Sequence, residues 1–225
     1  MVVLGVPTLN CYDLLRRMLE SAARGTTKVD VVIVIDNGGD LPELRGVPGI
    51  DAVETVKPGR NLGVAASWNR IIDLHAERWP SAELVIANDD LVVLPDGIAR
   101  MLRRPERLVI GHSFSLFLWR LGKSLRFDER FWPAYGEDCD MLLRVKRGGF
   151  SVGYATAAAG HIRGATSKRV PRAERRELDE GVRRNAERFR AKWGRPLSDD
   201  VRRRDWRLDG YYSEPWRGRP PPGED

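Results

Sequence analysis

Leu84-Val85-Ile86-Ala87-Asn88-Asp89-Asp90-Leu91-Val92-Val93 decides how the chain is read. An apolar run, long enough for a buried strand, ends in an amide and two adjacent carboxylates. The chain then turns apolar again. Asn and Asp are ordinary turn residues after a strand. They are also hard oxygen ligands, and a strand that ends in them places such ligands at a sheet edge. Oxygen sets of this kind suit Mg²⁺ or Mn²⁺, which bridge to phosphate oxygens.

The segments around this stretch alternate in period. Val2–Val6 is apolar, and Val29–Ile35, interrupted only by Asp30, is a β-branched run of the kind found in strands buried on both faces. Tyr12–Ala23 has helical spacing through Leu14, Leu15, Met18 and Leu19. Asp51–Val56 is a further strand, Val64–Glu77 a helix, Glu83–Ala87 a strand and Pro95–Leu102 a short helix. This rhythm predicts an α/β fold: an open, mostly parallel twisted sheet flanked by helices. Ligands of such sheets sit beyond the carboxyl ends of the strands. Pro7-Thr8, Asn10, Asp36-Asn37 and Asn88–Asp90 all fall there.

The later chain is less regular. Leu108–Ile110, Ser115–Trp119 and Phe150–Tyr154 read as strands. Between them lies an aromatic loop, Phe127–Gly136, and then Glu137-Asp138-Cys139-Asp140 opens a helix that Gly148-Gly149 stops. Ala155–Gly160 is a small-residue loop before His161. Arg172–Lys192 is charged but amphipathic, and Leu178, Val182, Ala186 and Phe189 are expected to pack on the body. Pro196 onward is expected to be loosely held.

Composition narrows the function. Of 225 residues 42% are hydrophobic, enough for a sizeable core. No apolar run approaches the ~18 residues of a membrane span, and Met1–Pro7 reads as a first strand and not a secretion signal. Two cysteines, Cys11 and Cys139, do not make a disulfide framework, so a cytoplasmic setting with membrane contact at most peripheral is expected. Net charge is 38 − 32 = +6, and residues 168–225 carry 17 − 12 = +5 of it. Acidic and basic residues interleave there, which disfavours a large nucleic-acid footprint through the basic tail. There is no G-x-G-x-x-G after the first strand and no P-loop, so dinucleotide and P-loop readings lose their usual support. A nucleotidyltransferase acting on sugar phosphates would want a Gly-rich basic loop where Pro7-Thr8-Leu9-Asn10 stands.

Four ordered segments resemble family 2 glycosyltransferases with the GT-A-type fold: Val6–Asn10, Val34–Gly38, Arg60–Ala65 with Asn69, and Asn88–Asp90. Phe127-Asp128-Glu129 leading to Gly136-Glu137-Asp138 is similar to that family's acceptor-side segment. His161 with Gly164 and Ser167 is similar to its late metal-binding loop. The resemblance covers residues 1–168, and 169–225 is expected to be a basic helical extension. It implies an inverting, nucleotide-sugar-dependent enzyme. Pro7, Thr8, Asn10, Asp36, Asn37, Arg60, Asn61, Asn69, Asn88 and Asp89 would hold a UDP- or dTDP-linked sugar. Asp90 and His161 would bind Mn²⁺ or Mg²⁺. Asn88 stands where the family has a first Asp, so the site has one negative charge fewer. Asp138 would be the catalytic base, with Glu137 beside it. The acceptor would be a glycan, a lipid-linked glycan or a protein side chain, near Trp119, Trp132 and Tyr135.

The chemistry is coherent in its own terms. Breaking the anomeric bond of a sugar nucleotide moves negative charge onto a diphosphate, which a divalent cation stabilises. The acceptor hydroxyl must lose a proton, and a carboxylate in reach takes it. At a helix start the dipole is expected to favour ionised Asp138. The alternative is that Glu137, Asp138 and Asp140 merely cap that helix.

Overall fold

A computed structural model describes residues 1–42, 44, 47–155, 157–162, 172–194 and 196–197. The predicted boundary at 168, Gly164, Ser167 and everything from 198 onward lie outside these. The elements are β1 (Val2–Thr8), α1 (Tyr12–Ala23), β2 (Val31–Asp36), β3 (Ala52–Val56), α2 (Gly63–Arg78), β4 (Glu83–Ala87) and β5 (Leu91–Val93). They continue as α3 (Gly97–Leu102), β6 (Leu108–His112), β7 (Leu116–Trp119), α4 (Glu137–Arg147), β8 (Val152–Tyr154), β9 (Ala159–His161) and α5 (Arg172–Trp193).

Seven strands form one sheet in the order β3-β2-β1-β4-β7-β6-β8. Every pairing is parallel except those that β7 makes with β4 and β6. The predicted mixed α/β sheet, mostly parallel and covered on both faces, is what is found. Residues alternate between its faces because a strand has period two. Leu4, Val6, Val32 and Val34 meet Leu15, Met18 and Leu19 of α1 on one side. Val3, Ile33 and Ile35 meet Trp68, Ile71 and Ile72 of α2 and Met141 and Leu142 of α4 on the other. α2 lies so close to β1 that a Cβ at Gly5 would sit 2.2 Å from Ile71 Cγ2.

The connection order creates a crevice. The chain runs outward from β1 to β2 and β3, then returns to place β4 on the other side of β1. Strand ends separate at such a switch, and ligands enter there.

A second sheet was not anticipated from the sequence. β5 pairs antiparallel with β9, matching Leu91 to His161. The segment read as a loop thus ends in a strand. Three-residue strands carry too little periodicity to be recognised from residue pattern alone.

α5 forms the predicted charged helix, but its seam differs. Buried Gly181, Asn185, Phe189 and Trp193 face the body, a strict spacing of four. Phe189 and Trp193 join Phe131 and Cys139 in a third apolar cluster. Leu178, Val182 and Ala186 are half-buried on the next ridge. Polar Asn185 belongs to this seam, and its Nδ2 donates to Ala134 O at 2.9 Å. No described helix is long and apolar enough to cross a membrane.

Candidate active site

A cleft of about 310 Å³ opens at the carboxyl ends of β1 and β4. Of the residues selected from sequence, Pro7, Thr8, Asn37, Asn61, Asn88, Asp89, Asp90, Tyr135, Glu137, Asp138 and His161 line it.

The floor is built by the Asn-Asp-Asp turn. Asn88 N donates to Ser115 O at 2.8 Å, so the turn is tied to the start of β7. Asp89 is buried and accepts from Thr8 Oγ1 at 2.7 Å, which locks the ends of β1 and β4 together. Asp90 is the residue turned toward a partner from far along the chain. Ile162 N donates to Asp90 O at 2.8 Å, and the β5–β9 pairing brings His161 Nε2 to 3.1 Å from Asp90 Oδ1. That approach is not an aligned hydrogen bond, and Oδ1 has no hydrogen-bond partner. The ring of His112 stacks on His161 with centroids 6.0 Å apart.

This pair fits a divalent cation. Two ligand atoms at right angles around an ion at about 2.1 Å lie roughly 3 Å apart. Carboxylate oxygen with imidazole nitrogen suits Mn²⁺. Among the described residues no group of three or more His, Cys, Asp or Glu could hold a metal. An ion here would therefore complete its shell with oxygens of a bound ligand or water.

The opposite wall is the start of α4. Gly136, at φ +99°, is the N-cap, and no side chain caps the helix. None of the three carboxylates occupies the capping position, although Asp138 does take one backbone N–H of the first turn. Glu137 is only 5% exposed, and its Oε2 has no partner. Burial, and then the neighbouring Asp138 charge, push Glu137 well above the usual carboxylate range. Asp138 Oδ1 accepts from Cys139 N at 2.8 Å. Burial also raises Asp138, against the pull of backbone N–H groups at the helix start. Desolvation outweighs those hydrogen bonds, so the direction is opposite to the one expected from the helix start.

Asp140, two residues on, has the opposite surroundings. Its Oδ1 accepts from Trp193 Nε1 at 2.9 Å and lies 3.0 Å from Lys192 Nζ. Its Oδ2 accepts from Arg144 Nε at 2.9 Å. Lys192 also reaches Asp128 at 3.1 Å. Burial pushes Asp128 up, but Arg130 and Lys192 outweigh it and hold that carboxyl well below the usual range.

Other residues selected from sequence do not line this cleft. Asn69 is 2% exposed and grips Phe127 from both sides, accepting from its N at 2.8 Å and donating to its O at 2.9 Å. It also donates to Glu129 Oε1, so its amide is already in use within the fold. Trp119 is 3% exposed in the core, and its Nε1 donates to Gly122 O. It offers no acceptor platform. Asp36 is buried away from the cleft lining and accepts from Tyr12 OH, Gly38 N and Leu41 N. Asn10 stands beside it, at φ +56°, accepting from Tyr12 OH. Exposed Arg60 does not line the cleft, and half-buried Trp132 packs against Gly63. Phe131 and Cys139 are buried, as expected of core residues.

The sequence reading also missed lining residues. Ser113, Phe114 and Ser115 reach the cleft because β7 runs back alongside β4, a pairing with no local signature. Trp68, whose buried Nε1 has no partner, lines it from α2.

No family model and no curated protein matches the sequence. Solved structures do match by shape. The chain aligns with glucosyl-3-phosphoglycerate synthase from Mycobacterium tuberculosis, solved with Mn²⁺, UDP and glucosyl-3-phosphoglycerate, at a TM-score of 0.56. That match has 16% identity and covers 88% of this chain and 81% of the other. The chain has the GT-A glycosyltransferase fold. The GT-A match extends to the mannosyltransferase PcManGT from Pyrobaculum calidifontis, in complex with GDP-Man and Mn²⁺, at a TM-score of 0.51 and 16% identity. It covers 81% of this chain, which spans 64% of the mannosyltransferase's length. It extends also to S. aureus TarS residues 1–349, at a TM-score of 0.52 and 10% identity, covering 88% and 76% of the two chains.

Proposed function

We propose that this protein transfers a sugar from a nucleoside-diphosphate sugar to an acceptor hydroxyl. One observation carries the reading: the Asp90–His161 pair and the Glu137–Asp138 pair face the same cleft at the switch point of a GT-A sheet. A metal-ligand set and a candidate base must share one space for this reaction, and each alone would mean little. Among the described residues, three of the five buried side-chain atoms without a hydrogen-bond partner, Asp90 Oδ1, Glu137 Oε2 and Trp68 Nε1, belong to residues lining that space. Leaving such groups unpaired costs about 1–3 kcal/mol each, which a bound ligand can offset.

Asp90 and His161 would hold Mn²⁺ or Mg²⁺, and a cation there would neutralise charge growing on the leaving diphosphate. Thr8, Asn37, Asn61 and Asn88 supply neutral polar groups around the nucleotide. Asp138 takes the proton from the acceptor hydroxyl as it attacks, and the raised affinity that burial gives it for a proton brings its pKa closer to working pH, which suits a base. Glu137, beside it and raised by burial and by the Asp138 charge, is placed to bind the acceptor. One base and one displacement give inversion at the anomeric carbon. The structural neighbours solved with UDP, or with GDP-Man, and with Mn²⁺ support this class of donor.

The test is calorimetry with UDP, dTDP and GDP, each with and without Mn²⁺, followed by a donor–acceptor screen read by mass spectrometry. Metal-dependent binding of one diphosphate and transfer of its sugar are expected. NMR of the product should show the inverted anomer, and a retained anomer would rule out the single displacement.

A further inference from the structure

The cleft does not end at Asp138. A trough of about 750 Å³ runs beside it, lined by Tyr135 and by Arg175, Leu178, Asp179, Val182, Arg183 and Ala186 of α5. Tyr135 and Leu178 line both spaces, so the two are continuous.

The pattern of α5 explains the trough. Gly181, Asn185, Phe189 and Trp193 seat one ridge on the body. A Cβ at Gly181 would lie 2.4 Å from Pro133 Cδ, so the helix rests directly on the Trp132–Tyr135 loop. That seat turns the next ridge, Leu178-Val182-Ala186, along the mouth of the cleft as a half-buried apolar floor. The ridge beside it is Arg175-Asp179-Arg183, exposed and net positive. At the junction, Tyr135 is 46% exposed and held at φ +74°. A bulky residue in that region is strained by about 1–2 kcal/mol, and such strain gathers at binding sites.

We infer that this trough is the acceptor subsite and that it takes a saccharide carrying an oxyanion, a carboxylate or a phosphate. The inference rests on the glycosyl-transfer reading. A sugar ring has an apolar face that fits the Tyr135 ring and the Leu178–Val182 floor. At its acceptor end the cleft presents the Asp138 carboxylate, which disfavours a second anionic group beside it. Exposed Arg183, on the rim of the trough, is where an anionic substituent is favoured. Guanidinium matches carboxylate and phosphate oxygens in a fork geometry. The acceptor's hydroxyl then points toward Asp138 while its charge stays on α5. Specificity for the acceptor thus comes from the C-terminal helix, and the donor is handled by the sheet.

Saturation-transfer NMR on the full chain tests this with three rings of like size: glucuronate, glucose 6-phosphate and glucose. At least one anionic sugar should bind, with glucose weaker by roughly tenfold or more, as the loss of charge-assisted hydrogen bonds implies. The stronger anion identifies the group. Arg183→Glu, which reverses the rim charge, and Val182→Trp, which fills the floor, should each remove that binding. Both positions lie off the buried seam, and Mn²⁺-dependent UDP or GDP binding should be unchanged. Asp90→Ala should do the reverse. Equal binding of all three rings, or none by the wild type while the nucleotide binds, would overturn the inference and leave the donor reading standing. So would anionic-sugar binding that survives both α5 variants.

Discussion

Asp138 and Asp140 lie two residues apart in the first turn of one helix, yet the fold treats them oppositely. Asp140 is wholly buried and meets Arg144, Lys192 and Trp193. Its charge is compensated, and it joins α4 to α5. Asp138 and Glu137 turn to the cleft, where burial raises both and, among the described residues, no basic side chain forms an ion pair with either. The difference shows what separates a structural carboxylate from a reactive one. Residue type and helix turn are the same, but two residues along a helix turn the side chains to nearly opposite faces, and the partners on those faces differ. The face of α4 toward α5 is neutralised, and the face toward the cleft keeps its proton chemistry available.

The comparison can be broken most sharply by rate. Asp138→Asn keeps the shape but cannot take a proton, so transfer should fall about 10²–10⁴-fold with melting temperature and donor affinity little changed. Steady-state assays beside calorimetry check this. Loss of donor binding in that variant would erase the distinction drawn between the two aspartates.

Asp140→Ala should show the opposite signature. Removing one partner of a buried ion-pair cluster costs about 3–5 kcal/mol, here by stranding Arg144 and weakening the hold on Lys192 and Trp193. Denaturant unfolding should register that loss. Wild-type stability in Asp140→Ala would mean that α5 is not anchored as described.

A smaller effect is expected in pH dependence. Carboxyls raised in the fold, such as Glu137 and Asp138, contribute stability that is complete below their unfolded values near 4 and lost as pH rises through the raised values. Glu137→Gln should therefore stabilise the protein at neutral pH and have little effect in acid. Asp128, held low, works the other way: its contribution is present above its unfolded value and disappears as pH falls. The rate should rise with pH as Asp138 ionises, with its acid limb above that of an ordinary aspartate. Melting curves and rates across pH 4–8 measure both, and a Glu137→Gln variant destabilised at neutral pH would reverse the assignment.

The same contrast explains what the sequence revealed. The parallel half of the sheet was legible because Val31–Ile35 and Leu84–Ala87 are buried on both faces and stay apolar throughout. The candidate site was legible where it follows strands directly, at Thr8, Asn37 and Asn88–Asp90. It was not legible where distant pairing builds it. Residue pattern alone gave no sign that His161 meets Asp90; only the family resemblance joined them, and the contact runs through three-residue strands whose paired residues Leu91 and His161 lie 161 − 91 = 70 positions apart. Trp119 and Asn69 misled because an aromatic or an amide looks the same in sequence whether it faces a cleft or closes a core. The seam of α5 was misread because a glycine and a buried asparagine, not larger apolar residues, let the helix approach Pro133 and Ala134.

The central claim is that Asp90, with His161, joins a divalent cation to the diphosphate of a donor. Titration calorimetry of wild type and Asp90→Ala with UDP and GDP at saturating Mn²⁺ tests it most directly. The account predicts Mn²⁺-dependent binding of at least one diphosphate to the wild type, and its loss in Asp90→Ala with the melting temperature retained. Unchanged Mn²⁺-dependent binding in Asp90→Ala would contradict it.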